Sequence, residues 1–135
     1  MEKINSPYEE LLGMYVVERK EGFCKIGLSY RKELTNPHGK FHGGLIASII
    51  DTAAVQALRT LEPKGPFLTA NLEIRYLSSS SQGQIFAQGI SSHLKGKFFV
   101  TQVKVLDKNN ELIAEARVKS FLPSWQADKP KKIVS

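Results

Sequence analysis

Asp51 is the acidic side chain best placed to do chemistry in this chain. It follows directly on the apolar stretch Leu45–Ile50, in which Ser48 is the one polar side chain. Ala47, Ala54 and Val55 are its neighbours one helical turn away. A carboxylate set among small apolar side chains is costly unless it is paired, hydrated or used. No lysine or arginine lies three or four residues away to pair with it. The plainer alternative is an aspartate exposed at the edge of a sheet, and the missing cation tilts the reading towards a reacting group.

The glycine pair Gly43-Gly44 is the second candidate. It stands where a loop enters the helix, so backbone N–H groups there are unpaired and the helix dipole is positive. Adjacent glycines let a ligand approach those amides closely, and a developing oxyanion is stabilised in such a place. A tight turn that merely requires glycine is the alternative. From Gly44 to Asp51 is seven residues, about 10 Å along a helix axis. A carbonyl bound at the helix start does not easily meet a water activated by the same helix's Asp51. Two antiparallel helices at a dimer interface remove the difficulty.

Other chemistries fail on inventory. His38, His42 and His93, with Cys24 isolated from them, show no metal-ligand spacing. There is no Gly-x-Ser-x-Gly elbow, no phosphate-binding Walker loop and no dinucleotide fingerprint. Cys24 lies on the apolar side of a predicted strand and reads as inert core. His38 and His42, taken alone, read as hydrogen-bonding organisers of the loop.

The elements that must position these groups follow from pattern. Ser6-Pro7-Tyr8-Glu9 predicts a helix start with a serine cap, proline at the first position and a capping box. Strands are expected over 14–19 and 23–30, with Cys24, Ile26, Leu28 and Tyr30 on one face. Thr35 to Gly44 is a glycine-rich loop, and Leu45 to Leu61 is the longest helical pattern, ended by Pro63 and Gly65. Its first turns are apolar nearly all round, the mark of a buried helix. Four strands follow, over 67–77, 84–93, 97–106 and 112–122, separated by turn formers. A polar tail runs from Pro123 to Ser135, with Trp125 as a possible anchor.

One buried helix among about six antiparallel strands implies an α+β domain in which the sheet curls around the helix. The whole chain, 1–135, is expected to be a single domain with its core over about 14–122. The side of the helix left uncovered argues for a homodimer.

Composition narrows the class further. Of 135 residues, 41% are hydrophobic and 24% charged, as in ordinary globular proteins. No run approaches the roughly 20 apolar residues of a spanning helix, and the first five residues lack a signal's apolar stretch. A single cysteine suits a reducing cytoplasm. The net charge of +6 is dispersed, apart from Lys129, Lys131 and Lys132 in the tail, and no recognition helix or aromatic RNA motif is present. Neither nucleic acid nor membrane is an expected partner; a phosphorylated small molecule fits better.

The sequence Asn36-x-x-Gly39-x-x-His42-Gly43-Gly44, with Asp51 nine residues after His42, resembles the signature of the PaaI-type hot-dog-fold acyl-CoA thioesterases. Residues 69–77, Thr-Ala-Asn-Leu-Glu-Ile-Arg-Tyr-Leu, look like that family's strand after the helix. The resemblance covers about residues 30–122 and implies a hot-dog fold, an antiparallel sheet wrapped around a long central helix. It implies hydrolysis of an acyl-coenzyme A thioester without metal or cofactor, coenzyme A being part of the substrate. By the same resemblance the Gly43 amide polarises the thioester carbonyl, with Gly44 beside it. Asp51 of a partner subunit activates or orients water, or attacks directly. Asn36 contacts the thioester region, His42 holds Asn36 and the loop, and Thr69 helps position water beside the carboxylate. Lys95, Gly96 and Lys97 are candidates for holding the coenzyme A phosphates; a solvated turn is the equal alternative.

Two other functions stay open at this point. An enoyl-thioester hydratase on the same fold is disfavoured, since its pattern places histidine five residues after the aspartate and Gln56 stands there. A non-catalytic acyl-CoA-binding or sensing protein has no need of Asp51. The acyl group, the choice of dimer or tetramer, and the role of Asp51 as base or nucleophile are not legible in the sequence.

Overall fold

The computed structural model describes residues 2–63, 65–79 and 83–123. The tail with Trp125 and its lysine cluster, and part of the turn before residue 83, lie outside the described residues. The elements run β1 (Glu2–Lys3), α1 (Pro7–Leu12), β2 (Tyr15–Lys20), β3 (Phe23–Ser29), a 3-10 turn (Lys32–Leu34), α2 (Gly43–Leu58), β4 (Leu68–Tyr76), β5 (Gln84–Lys95), β6 (Phe98–Asp107) and β7 (Leu112–Phe121). All strand pairs are antiparallel, in the order β1-β2-β3-β5-β6-β7-β4.

The sheet curls around α2. Alternation on β3 sends Cys24, Ile26 and Leu28 inward, and Ile85, Ala87, Val105 and Val118 join them, all fully buried. On the helix, Ile49, Ile50, Ala53, Ala54, Ala57 and Leu58 are fully buried in return. The fit is close at Gly89 on β5, where a Cβ would come within 3.2 Å of the Ala53 carbonyl oxygen. Glycine there lets helix and sheet approach. No described helix is long and apolar enough to cross a membrane.

Several boundaries differ from expectation. Helix α2 begins at Gly43 and stops at Leu58, so both glycines are its first turn rather than the loop before it. The Ser6 side chain makes no cap bond at the start of α1, although proline does open the helix. Strand β1 had no sequence signal, being two residues long; it pairs with β2, and Glu2 and Lys3 make ion pairs with Arg19 and Glu10.

β4 places the site. Among the described strands it is an outer one, paired with β7 on one side. Leu68 pairs with Phe121, Thr69 with Ser120, and then Asn71 with Lys119, so Ala70 is an extra residue in a bulge. Leu72 and Ile74 pack towards the core. Regular alternation from them would turn Thr69 away from the helix. The bulge reverses the alternation, and Thr69 faces inward beside buried Ser120.

Candidate active site

The start of α2 is built by its own loop. The Asn36 Oδ1 accepts from the amides of His38 at 2.9 Å and Lys40 at 3.1 Å. The His42 amide donates to the Leu34 carbonyl at 3.0 Å, closing the loop. With its Oδ1 committed to two donors, Asn36 has its side-chain NH2 left over, and this group meets no acceptor among the described residues.

His42 is the N-cap. Its Nδ1 accepts from the Gly44 amide at 2.8 Å, so the neutral ring carries its proton on Nε2. The His42 ring thus turns to the helix rather than to Asn36; the expected hold of His42 on Asn36 is absent from the hydrogen bonds of the described residues. The His42 carbonyl accepts from the amides of Leu45 at 3.0 Å and Ile46 at 3.1 Å. That carbonyl shares a planar peptide with the Gly43 N–H, which therefore has a fixed direction, pointing out of the helix start. The Gly43 amide meets no acceptor among the described residues. Its carbonyl is held separately, by the Tyr76 hydroxyl at 2.9 Å.

Packing within the chain does not explain the glycine at 43. A Cβ there would stand 3.8 Å from the Tyr76 ring, an ordinary contact. At Gly44 a Cβ would press to 3.1 Å from the His42 ring that caps its amide. Gly44 serves the cap; the space over Gly43 is open to something from outside the chain.

Asp51 sits half-buried on the face of α2 turned to β4, and Thr69 Oγ1 donates to its Oδ1 at 2.5 Å. No lysine or arginine pairs with it among the described residues. The carboxylate lines a cleft of about 350 Å³ with Tyr8, Glu9, Ser48, Thr69 and Leu72 among its neighbours. Gly43 is not part of that cleft. The structure therefore brings Asp51 and Thr69 together, and gathers Asn36, His42, Gly43 and Gly44 at the helix start, but keeps the two groups apart within one chain.

Lys95, Gly96 and Lys97 lie elsewhere, at the β5–β6 turn, where Gly96 has φ +56°. They line a separate depression of about 590 Å³ with Phe98 and Lys119. Lys119 Nζ lies 4.6 Å and Lys97 Nζ 5.6 Å from the centre of the Phe98 ring. Pattern reasoning missed Lys119, and also Tyr76, Tyr8 and Glu9, because each reaches its site only through tertiary contacts. Among the described residues no group of three histidine, cysteine or acidic side chains is placed to hold a metal ion. Cys24 is fully buried, and burial pushes its thiol above the ordinary value.

A sheet wrapped about one helix, with an unpartnered amide at the helix start and a carboxylate two turns on, defines a hot-dog-fold protein of the thioesterase kind. The model of the thioesterase superfamily matches residues 38–114, more than half of the sequence, and the chain belongs to that family. Human acyl-coenzyme A thioesterase 13 is 30% identical over 115 residues, 82% of this chain and 81% of that protein. The 1,4-dihydroxy-2-naphthoyl-CoA hydrolase of Listeria monocytogenes is 23% identical over 110 residues, 81% of this chain and 89% of that protein. The E. coli PaaI protein of the phenylacetic acid degradation operon shares the fold, with a TM-score of 0.80 at 22% identity over 87% of this chain and 85% of that one. The protein is thus a thioester hydrolase of the thioesterase superfamily.

Proposed function

We propose that the protein hydrolyses acyl-coenzyme A thioesters to free acid and coenzyme A, at a site shared between two copies of the chain. One observation carries the reading. The unpartnered Gly43 amide and the Asp51 carboxylate lie on one helix, eight residues and about 12 Å apart along its axis. A single thioester carbonyl does not span that distance. A second copy with α2 antiparallel sets its Asp51 beside this Gly43, and the reverse contact makes a second site.

The outer edge of β4 supports the assembly. Among the described residues it is unpaired along nine residues, and Leu68, Tyr76 and Leu77 on or beside it are about half exposed. An unpaired edge of this length invites a partner strand. A two-fold pairing of β4 with its copy covers it, as a homodimer; pairs of dimers are a compatible further step.

In the shared site the Gly43 N–H holds the thioester carbonyl oxygen, reinforced by the dipole of α2. Asp51 takes a proton from water as its oxygen adds to the carbonyl carbon. Thr69 fixes the carboxylate, and the free Asn36 NH2 is available to the thioester. The tetrahedral intermediate collapses, the C–S bond breaks, and the thiolate leaves with the proton returned. Direct attack by Asp51, giving an anhydride that water opens, uses the same geometry. Coenzyme A is part of the substrate, and the chemistry asks for no further cofactor. Its phosphates are assigned to Lys95 and Lys97 around Gly96, with Lys119 beside them. The single buried cysteine suits a reducing cytoplasm.

Free-thiol release from acyl-coenzyme A tests the reading. Asp51→Ala and Asp51→Asn are expected to abolish turnover while leaving binding intact. Mixing an Asp51→Ala chain with a Gly43 variant is expected to restore one working site per mixed dimer. Equal rates for wild type and Asp51→Ala would remove Asp51 from the reaction.

A further inference from the structure

Helix α1 meets the core through Leu12, which packs against it partly buried. None of its six residues is fully buried, and so short a helix does not hold by itself. Tyr8 is 54% and Leu11 72% exposed. Two side-chain hydrogen bonds nonetheless fasten α1 to α2, and they straddle Asp51. Tyr8 Oη meets Ser48 Oγ at 2.7 Å, and Thr52 Oγ1 donates to Glu9 Oε2 at 3.0 Å. The one proton of Ser48 goes to the Gly44 carbonyl at 3.0 Å, so Tyr8 is the donor to Ser48. Ser48 lies a turn before Asp51 and Thr52 directly after it. Tyr8 and Glu9 thereby join Asp51 in lining the cleft, together with apolar surface from Ala47 and Leu72.

We infer that α1 forms the acyl-side wall of the reaction site, and that Tyr8 is the residue limiting the size of the acyl group. The inference rests on the reading of Asp51 as the reacting carboxylate. An acyl carbon close enough to Asp51 for water to reach it leaves its substituent in the same cleft, where the Tyr8 ring stands. This chain's part of the shared site is about 350 Å³, near the lower end for small-molecule sites, roughly 300–1,000 Å³. A cavity of ~150 Å³ takes one benzene ring. A group of one ring, or a short chain, therefore fits beside the thioester and its water, whereas a long fatty chain must displace Tyr8. Glu9 adds a charge condition. It is a second carboxylate lining the cleft, so an acyl group ending in its own carboxylate is repelled. The favoured substrate is short and uncharged.

The test compares kcat/KM for benzoyl-, butyryl-, decanoyl-, palmitoyl- and succinyl-coenzyme A in wild type, Tyr8→Ala, Tyr8→Phe, Glu9→Gln and Leu11→Ala. Wild type is expected to favour the benzoyl and butyryl thioesters. Tyr8→Ala should raise the decanoyl-to-benzoyl ratio by ~10-fold or more, the discrimination one misfit methylene produces. Tyr8→Phe keeps the ring and the wild-type ratio, Leu11→Ala changes nothing, and Glu9→Gln raises the succinyl rate. Tyr8→Val replaces Tyr8→Ala should the latter unfold early in a thermal melt. A ratio in Tyr8→Ala equal to wild type, or a wild type that turns over palmitoyl as fast as benzoyl, overturns the inference while leaving Asp51 in place. Release of no thiol from any of the five by wild type overturns the Asp51 reading, and this one with it.

Discussion

The Thr69 hydroxyl donates to the Asp51 carboxylate at 2.5 Å, joining an outer strand to the central helix across eighteen positions of sequence. It does so because the bulge at Ala70 turns Thr69 to the inner face of β4. The bond leaves Asp51 Oδ2 available for a water.

Thr69→Val keeps the shape of the side chain and removes this donor. A hydrogen bond to a charged group contributes about 1.5–3 kcal/mol, so kcat is expected to fall roughly 10- to 100-fold. Thr69→Ser keeps the hydroxyl and should keep the rate. Steady-state thiol release measures both, and a Thr69→Val enzyme with wild-type kcat argues against a positioning role.

Gly43→Pro isolates the amide. Proline is favoured at the first position of a helix, and His42, with ψ 140°, already has the extended backbone that precedes proline well. The substitution removes the Gly43 N–H and little else. Thermal stability is expected to hold or rise, while kcat falls by roughly 10²–10³, the usual loss for one oxyanion donor. Retained activity at full stability would show that the oxyanion is held elsewhere.

Glu9 makes the α1–α2 contact sensitive to pH. Burial pushes its carboxyl up, but hydrogen bonds from Ser6, from its own backbone amide and from Thr52 outweigh this and hold it below the ordinary value. A lowered value means that the folded state favours the ionised form. The contribution to docking is therefore present above the ordinary carboxylate range and is lost as pH falls through the folded value. Hydrogen exchange at the α1 amides should accelerate on acidification, and Thr52→Val should weaken that dependence. Protection of α1 that is constant down to acid pH counts against it.

Ser120 is fully buried opposite Thr69, and its Oγ has no hydrogen-bond partner among the described residues. An unsatisfied buried hydroxyl costs about 1–3 kcal/mol. Ser120→Ala is expected to raise Tm without lowering kcat. A clear fall in Tm would mean that the hydroxyl bonds to an internal water.

Much of the architecture is legible from local pattern. The alternation of Cys24, Ile26 and Leu28 marked β3, and the apolar run after Gly44 marked a buried helix, because each face must match the period of its element. The spacing of the loop and Asp51 likewise needs only one helix. The start of α2 at Gly43 was less legible: glycine has weak helix propensity, and long-range and capping bonds such as those of His42 and Tyr76 help hold it helical.

Sequence by itself determined that one buried helix carries an acidic residue two turns beyond a glycine-opened N-terminus, since apolar period and residue type are local properties. Tertiary structure decided which side chains meet that residue. Thr69 arrives through a bulge that breaks its strand's period, Tyr8 and Glu9 arrive from a short helix with no fully buried residue, and the Gly43 amide stays open because no acceptor among the described residues meets it. Contacts between distant segments depend on strand order and register, which follow from how the whole sheet closes on the helix.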